Sequence, residues 1–450
     1  MRSGRLAVLV VVSGAILALG LAAFAWTLGA GSSGAQQGAM QNCPQPGKWA
    51  ISVWSGDDGT AAEQAFATCG EDAVAAAYDY DSDTQVWSRW SPGNAEISTL
   101  TTLDDMQGVI ALGAGGAPKT PTLAAGWTKI EPGGDTICAE GTPFAYWVHP
   151  GTVNRLVVYF EGGGACWNAA TCSDPDTYYD HTVDESDNPA NHPQGIGDLD
   201  NPDNPFKDWF TVFIPYCTGD IHWGDNTQTY QWGGTDHVIN HKGFANVSAV
   251  LDWIEADFEK PEKIFVSGCS AGSYGSIMGA AHIHKRYPDV PLYQFGDSGA
   301  GVITSDFFGS GFPSWGADQN IPDWIPGLEP PSELTLAKLY TAVADYYPND
   351  RWSQYNTAHD ENQTFYYMAM GGTGDWGQLM LASIHQIQDS APNFHAYIAP
   401  GTIHCITSGD NFYAREVNGV KLSDWVEAMV NDQTWDTVQC TDCKTDTLTP

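Results

Sequence analysis

The pentapeptide Gly268-Cys269-Ser270-Ala271-Gly272 follows a run, Lys263-Ile264-Phe265-Val266-Ser267, that reads as a buried strand, and the small residues from Ser273 to about Tyr287 suit a helix. A Gly-x-Ser-x-Gly at a strand-to-helix corner is a nucleophile elbow. Its glycines let the chain turn sharply, and the serine hydroxyl is left exposed at the strand's carboxyl end and at the helix N-terminus. Small-residue runs are common in a chain with 49 glycines, so the weight rests on the surroundings.

From Trp127 onward those surroundings alternate between strand and helix. Arg155–Phe160, Phe210–Ile214, the elbow strand, Leu292–Phe295, a stretch near Tyr355 and Phe394–Ile398 read as strands. Phe244, Val247, Leu251, Ile254 and Phe258 recur at helical spacing, and Leu334–Tyr346, Trp376–Ile387 and Leu422–Val430 also read as helices. The pattern predicts an α/β fold of the α/β-hydrolase type, a mainly parallel sheet with helices on both faces and ligands beyond the strands' carboxyl ends.

A serine hydroxyl needs a base to take its proton and a carboxylate to orient that base. In this fold the order is serine, acid, histidine, so His282, His284, His359, His385, His395 and His404 are the candidates. His404, in a loop straight after a strand, is placed to reach over the sheet edge. The acid is Asp297 or Asp360, and chain order favours Asp360. Cys269 precedes the serine and Cys405 follows the histidine; a bond between them would hold Ser270 and His404 together. Glu161-Gly162-Gly163-Gly164, coming off a buried strand, offers backbone N–H groups at Gly163 and Gly164 which, with that of Ala271, suit an oxyanion. Trp167 and Trp223 are candidates for the substrate pocket.

The other features set bounds. Acidic residues outnumber basic ones 54 to 18, a formal charge of −36, so nucleic acid and anionic lipid are not expected partners; the charge reads as a solvated coat. Met1-Arg2-Ser3-Gly4-Arg5 before an apolar run from Leu6 to Trp26 marks export, as a cleaved signal or an uncleaved anchor within residues 1–30. A secreted or extracytoplasmic monomer is expected, touching membrane only through that segment. Residues 31–42 read as a linker, 43–112 as a small accessory domain that Cys43 and Cys69 would close, 113–125 as a second linker and 126–450 as the catalytic domain. The accessory tryptophans suit a hydrophobic core more than a sugar platform. All ten cysteines (43, 69, 138, 166, 172, 217, 269, 405, 440 and 443) are disulfide candidates in an exported chain. Cys440-x-x-Cys443 has zinc-like spacing but no second such pair, and Asp198, Asp200 and Asp203 fit no standard calcium loop, so neither metal nor cofactor is expected.

Together these residues resemble the pectin acetylesterase and Notum family of serine esterases over roughly Trp127 to Val430. The resemblance is carried by Val158-Tyr159-Phe160-Glu161-Gly162-Gly163-Gly164-Ala165-Cys166-Trp167, Phe213-Ile214-Pro215-Tyr216-Cys217, the Ser-Ala-Gly of the elbow, Asp297-Ser298-Gly299, Asn356 to Asp360 and His404-Cys405. It implies Ser270, Asp360 and His404 as the triad, settling the acid, with oxyanion donors at Gly163, Gly164 and Ala271. It also implies disulfides Cys166–Cys172 and Cys138–Cys217. Cys269-Ser270, Asp360 and His404-Cys405 are also similar to the disulfide-linked triad of tannases and feruloyl esterases. Pectin, however, is a polyanion that a chain at −36 repels unless salt or a divalent ion intervenes.

The expected function is therefore hydrolysis of carboxylic esters, first of all acetyl esters on a polysaccharide. The alternatives are polyester depolymerisation or longer acyl esters and, in another class, a non-catalytic binding protein on a hydrolase scaffold.

Overall fold

The computed structural model describes residues 38–70, 73–94, 97–115, 119–329, 333–444, 446 and 448. The predicted signal or anchor lies outside them. No helix among the described residues is long and apolar enough to cross a membrane. The chain forms two compact units that divide between residues 117 and 118.

The first unit is a five-stranded antiparallel sheet ordered Ala39–Gln41, Trp49–Ser55, Gly108–Gly113, Val74–Asp81, Val86–Trp90. One face packs on the short helix Ala62–Ala67, burying Trp54, Phe66, Trp90 and Val109, and the Cys43–Cys69 disulfide staples it. Both linker boundaries shift. Met40 pairs with Trp54 inside the span read as the first linker, because its side chain is needed in this small core. In the second, Gly113 ends a strand, and Lys119 already belongs to the second unit, where it binds the Ala256 carbonyl and Asp257.

The second unit holds a nine-stranded sheet ordered Val438–Gln439, Phe394–Ala399, Arg351–Thr357, Leu292–Asp297, Ile264–Cys269, Val153–Phe160, Trp209–Ile214, Tyr146–His149, Thr128–Ile130. The first seven are parallel; Tyr146–His149 and Thr128–Ile130 close one edge antiparallel. Ile264, Phe265 and Val266 are fully buried. A run apolar on both sides belongs in a parallel sheet covered on both faces, and this strand is the fifth of nine. The protein is an α/β-hydrolase-type fold.

Two segments carry elements that the sequence pattern did not assign. Asn226–Trp232 and Thr235–His241 form a hairpin turned by Gly233 and Gly234 at φ 63° and 81°, the positive-φ pair a tight hairpin turn demands. The 173–208 stretch is largely irregular but carries the short helix Pro175–Tyr178, and its following residues line the site.

Candidate active site

Ser270 sits between the strand Ile264–Cys269 and the helix Ala271–Arg286 with φ 54° and ψ −120°. A non-glycine residue there costs about 1–3 kcal/mol, which the surrounding structure must sustain. A Cβ on Gly268 would come within 2.3 Å of the Gly272 carbonyl oxygen, and one on Gly272 within 2.0 Å of the Phe160 carbonyl oxygen. The two glycines of the elbow are thus required by backbone-to-backbone contact. The Ser270 N–H donates to the Asp297 carbonyl at 2.9 Å, fixing the corner to the next strand.

Asp360 follows the strand Arg351–Thr357 and caps the helix Glu361–Ala369. Its carboxylate is fully buried and accepts three hydrogen bonds: from the Gln363 N–H at 2.9 Å, Gln363 Nε2 at 3.0 Å and His404 Nδ1 at 2.8 Å. Bonding at Nδ1 fixes the tautomer that leaves Nε2 as the acceptor. Nε2 is shielded from solvent and has no hydrogen-bond partner among the described residues. Ser270 lines the same two cavities as His404.

Asp297, the other candidate acid, is fully buried and turned elsewhere. It accepts from the Thr407 N–H at 2.8 Å, Thr407 Oγ1 at 2.7 Å and Ser298 Oγ at 2.8 Å, while the Cys405 N–H donates to Ser298 Oγ at 3.1 Å. Burial raises the Asp297 pKa. It anchors the histidine loop from beneath. The disulfide Cys269–Cys405, with Cα atoms 5.3 Å apart, ties that loop to the elbow. The remaining pairs are Cys138–Cys217, Cys166–Cys172 and Cys440–Cys443.

The other histidines are engaged or remote. His282 bonds the Asn320 carbonyl, His284 faces Asp350, and His395 packs on Trp435. His359 and His385 are exposed. Sequence reasoning missed Gln363, which also donates to Asn356 Oδ1 and accepts from the Ala300 N–H, so that it positions the acid. Its only sequence signal is the Asp-x-x-Gln spacing of a helix cap.

The N–H groups of Gly163, Gly164 and Ala271 have no hydrogen-bond partner among the described residues. Gly164 has φ 73°, and a Cβ there would strike the Tyr178 carbonyl oxygen at 2.1 Å. The glycine loop is clamped by the irregular stretch: the Asp180 N–H donates to the Gly163 carbonyl and the Ala165 N–H to that of Tyr178, both at 2.8 Å.

Two cavities meet at Ser270 and His404. One, of about 70 Å³, is apolar, walled by Trp167, Tyr274, Val302, Phe307, Met370 and Trp376. The other, of about 640 Å³, is an open polar cleft bordered by Glu161, Tyr178, Asp180, His181 and Thr182. Trp167 lines the small cavity. Trp223 does not: it is 2% exposed, its indole N–H donates to the Tyr274 carbonyl, and it packs against Phe312. It supports the wall from behind.

Beside the cleft, burial pushes the Glu161 carboxyl well above the usual range and that of Asp187 up to about 7. A carboxyl whose folded pKa exceeds its unfolded value contributes full stability below about pH 4, and loses it as pH rises through 7. Asp187→Asn keeps an acceptor for the Asp184 N–H and removes the ionisation. Its thermal unfolding midpoint should exceed that of the wild type at pH 8 and nearly match it at about pH 4.5; an advantage confined to the acid side would contradict this.

Residues 128–313 match the pectinacetylesterase family. The palmitoleoyl-protein carboxylesterase NOTUM of Schmidtea mediterranea is 28% identical over 160 residues, which is 33% of this chain and 28% of that protein. Pectin acetylesterase 11 of Arabidopsis thaliana is 27% identical over 162 residues, 34% of this chain and 39% of that protein. The inactive palmitoleoyl-protein carboxylesterase notum1b of Danio rerio is 30% identical over 100 residues, 21% of this chain and 71% of that protein. The chain belongs to the pectin acetylesterase and Notum family. Its match spans less than half the length of the first two relatives. The matched family span holds the glycine loop, the elbow and Asp297; Asp360 and His404 lie beyond residue 313. Their place beside the family's elbow rests on the geometry described above.

Proposed function

We propose that the protein is an exported serine esterase that removes small acyl groups, acetyl first of all, from a polysaccharide. Ser270 attacks the ester carbonyl as His404, oriented by Asp360, takes its proton. The N–H groups of Gly163, Gly164 and Ala271 receive the oxyanion. The C–O bond to the alcohol breaks as His404 returns the proton to the leaving oxygen. Water, activated by the same imidazole, then releases the acid.

The observation that carries the reading is the pairing of a small apolar cavity with a large polar cleft at one serine. A cavity of about 70 Å³ suits a short acyl group better than a long lipid chain. The cleft of about 640 Å³ suits a sugar-borne leaving alcohol. Export is supported by the basic-then-apolar N-terminus and by five disulfides.

A series of p-nitrophenyl esters of increasing chain length tests this reading. Turnover should be fastest at acetate. Forcing extra methylenes into a closed wall costs about 1–3 kcal/mol, so kcat/KM should fall roughly 10- to 100-fold by the octanoate. A preference for the longer chain would overturn the acetyl reading in favour of the long-acyl alternative.

A further inference from the structure

The second face of the N-terminal sheet is uncovered. Trp54, Ala77, Trp90 and Ala111 point into the core, so their alternates point out. Trp49, Ile51, Trp87 and Ile110 are 57%, 63%, 52% and 40% exposed. Ladder pairing sets Ile51 beside Ile110, Ile110 beside Tyr78, and Tyr80 beside Trp87. The ring centroids of Trp49 and Tyr78 are 6.0 Å apart and those of Tyr80 and Trp87 are 5.0 Å apart. Tyr78 and Tyr80, two residues apart on one strand, are separated by about 7 Å. The four rings form one band across the sheet.

Two observations select what covers this band. The first is charge. In a chain with 54 acidic residues, the outward positions on the four strands from Trp49–Ser55 to Val86–Trp90 carry no carboxylate and one cation, Arg89. A second copy would bring two chains of −36 together, and a polyanion or anionic membrane would meet the same repulsion; a neutral polymer meets none. The second is chemistry. Each ring is a Trp or Tyr with an apolar face and a polar edge, and Trp49 and Trp87 are more than half exposed. A surface of rings with N–H and O–H groups suits a partner presenting C–H faces and hydroxyls together.

We infer that the outer sheet face bearing Trp49, Tyr78, Tyr80 and Trp87 binds a neutral polysaccharide by stacking on its sugar rings. An exposed aromatic patch of this extent on a soluble unit marks an interaction surface. The face holds the catalytic unit on a polymer that its net charge would not attract.

The test uses the full-length mature protein carrying Ser270→Ala, so that the polymer is not altered and the outcome is independent of the esterase reading. Depletion from solution is measured on cellulose, insoluble xylan and mannan, on polygalacturonate beads and on phosphatidylcholine vesicles. Retention is expected on at least one neutral glycan, little changed by salt. It should weaken at least about tenfold in Trp49→Ala/Trp87→Ala, with circular dichroism unchanged. Should that pair fail to fold, Trp87→Ala alone carries the test. Absence of retention on every neutral glycan, equal retention by the variants, capture by vesicles, or self-association that the same substitutions abolish would each overturn the inference.

Discussion

Ser270→Ala is expected to lower kcat/KM for p-nitrophenyl acetate by about 10⁴-fold or more, with the unfolding midpoint nearly unchanged. The side chain lost is a single hydroxyl lining the cavity, so little packing goes with it. Asp360→Asn should cost about as much for a different reason. Its amide presents the wrong partner to His404 Nδ1, 2.8 Å away, or turns a donor toward the Gln363 amide and N–H that now donate to it. Because nucleophile and base act as one unit, Ser270→Ala/His404→Ala should be no slower than the worse single variant. Initial rates on purified variants check this. A Ser270→Ala enzyme within tenfold of the wild type would place the chemistry elsewhere.

Loss of the Cys269–Cys405 bridge is the second large effect. The bond closes a separation of 136 residues, for which the chain-entropy relation gives about 5 kcal/mol, and measured losses run about 2–5 kcal/mol. Its removal should also slow turnover, because the bond sets the elbow against the histidine loop. The loop keeps other anchors, the Asp297–Thr407 and Ser298–Cys405 hydrogen bonds, so it should loosen rather than detach. Cys269→Ser/Cys405→Ser is therefore expected to unfold at lower denaturant and to lose roughly 10- to 100-fold in kcat, the scale of an ångström of misplacement. A double variant that keeps the wild-type kcat and denaturant midpoint would contradict this.

The parts of the site that read clearly in the sequence are those where chemistry forces residue type at short range. The elbow glycines are fixed by contacts of their own backbone, and the strands around them by unbroken apolar runs. His404 stood out because it follows a strand end. Asp297 and Asp360 were harder to separate, since both lie at the carboxyl ends of parallel strands; Thr407 and Ser298, which occupy Asp297, come into play only once the chain is folded. For Trp167 and Trp223 pocket and core stayed equally open, because an indole facing a pocket and one behind its wall look alike in one dimension. The cleft wall at Tyr178–Thr182 was hidden because an irregular, polar stretch carries no periodicity, and only its pairing with the glycine loop gives it a place. The accessory tryptophans were read together as core; Trp54 and Trp90 are, while Trp49 and Trp87 are exposed, since alternation shows two faces but not which one is covered.

Covalent labelling gives the most direct measurement. Wild-type protein treated with a diethyl p-nitrophenyl phosphate-type reagent should gain one diethylphosphoryl group, mapped by peptide mass spectrometry to Ser270, with esterase activity lost in step. Ser270→Ala should take up none, and His404→Ala should react far more slowly. A wild type that stays unlabelled and hydrolyses no acetate ester, or a label on another residue that accompanies inactivation, would contradict a nucleophile at position 270.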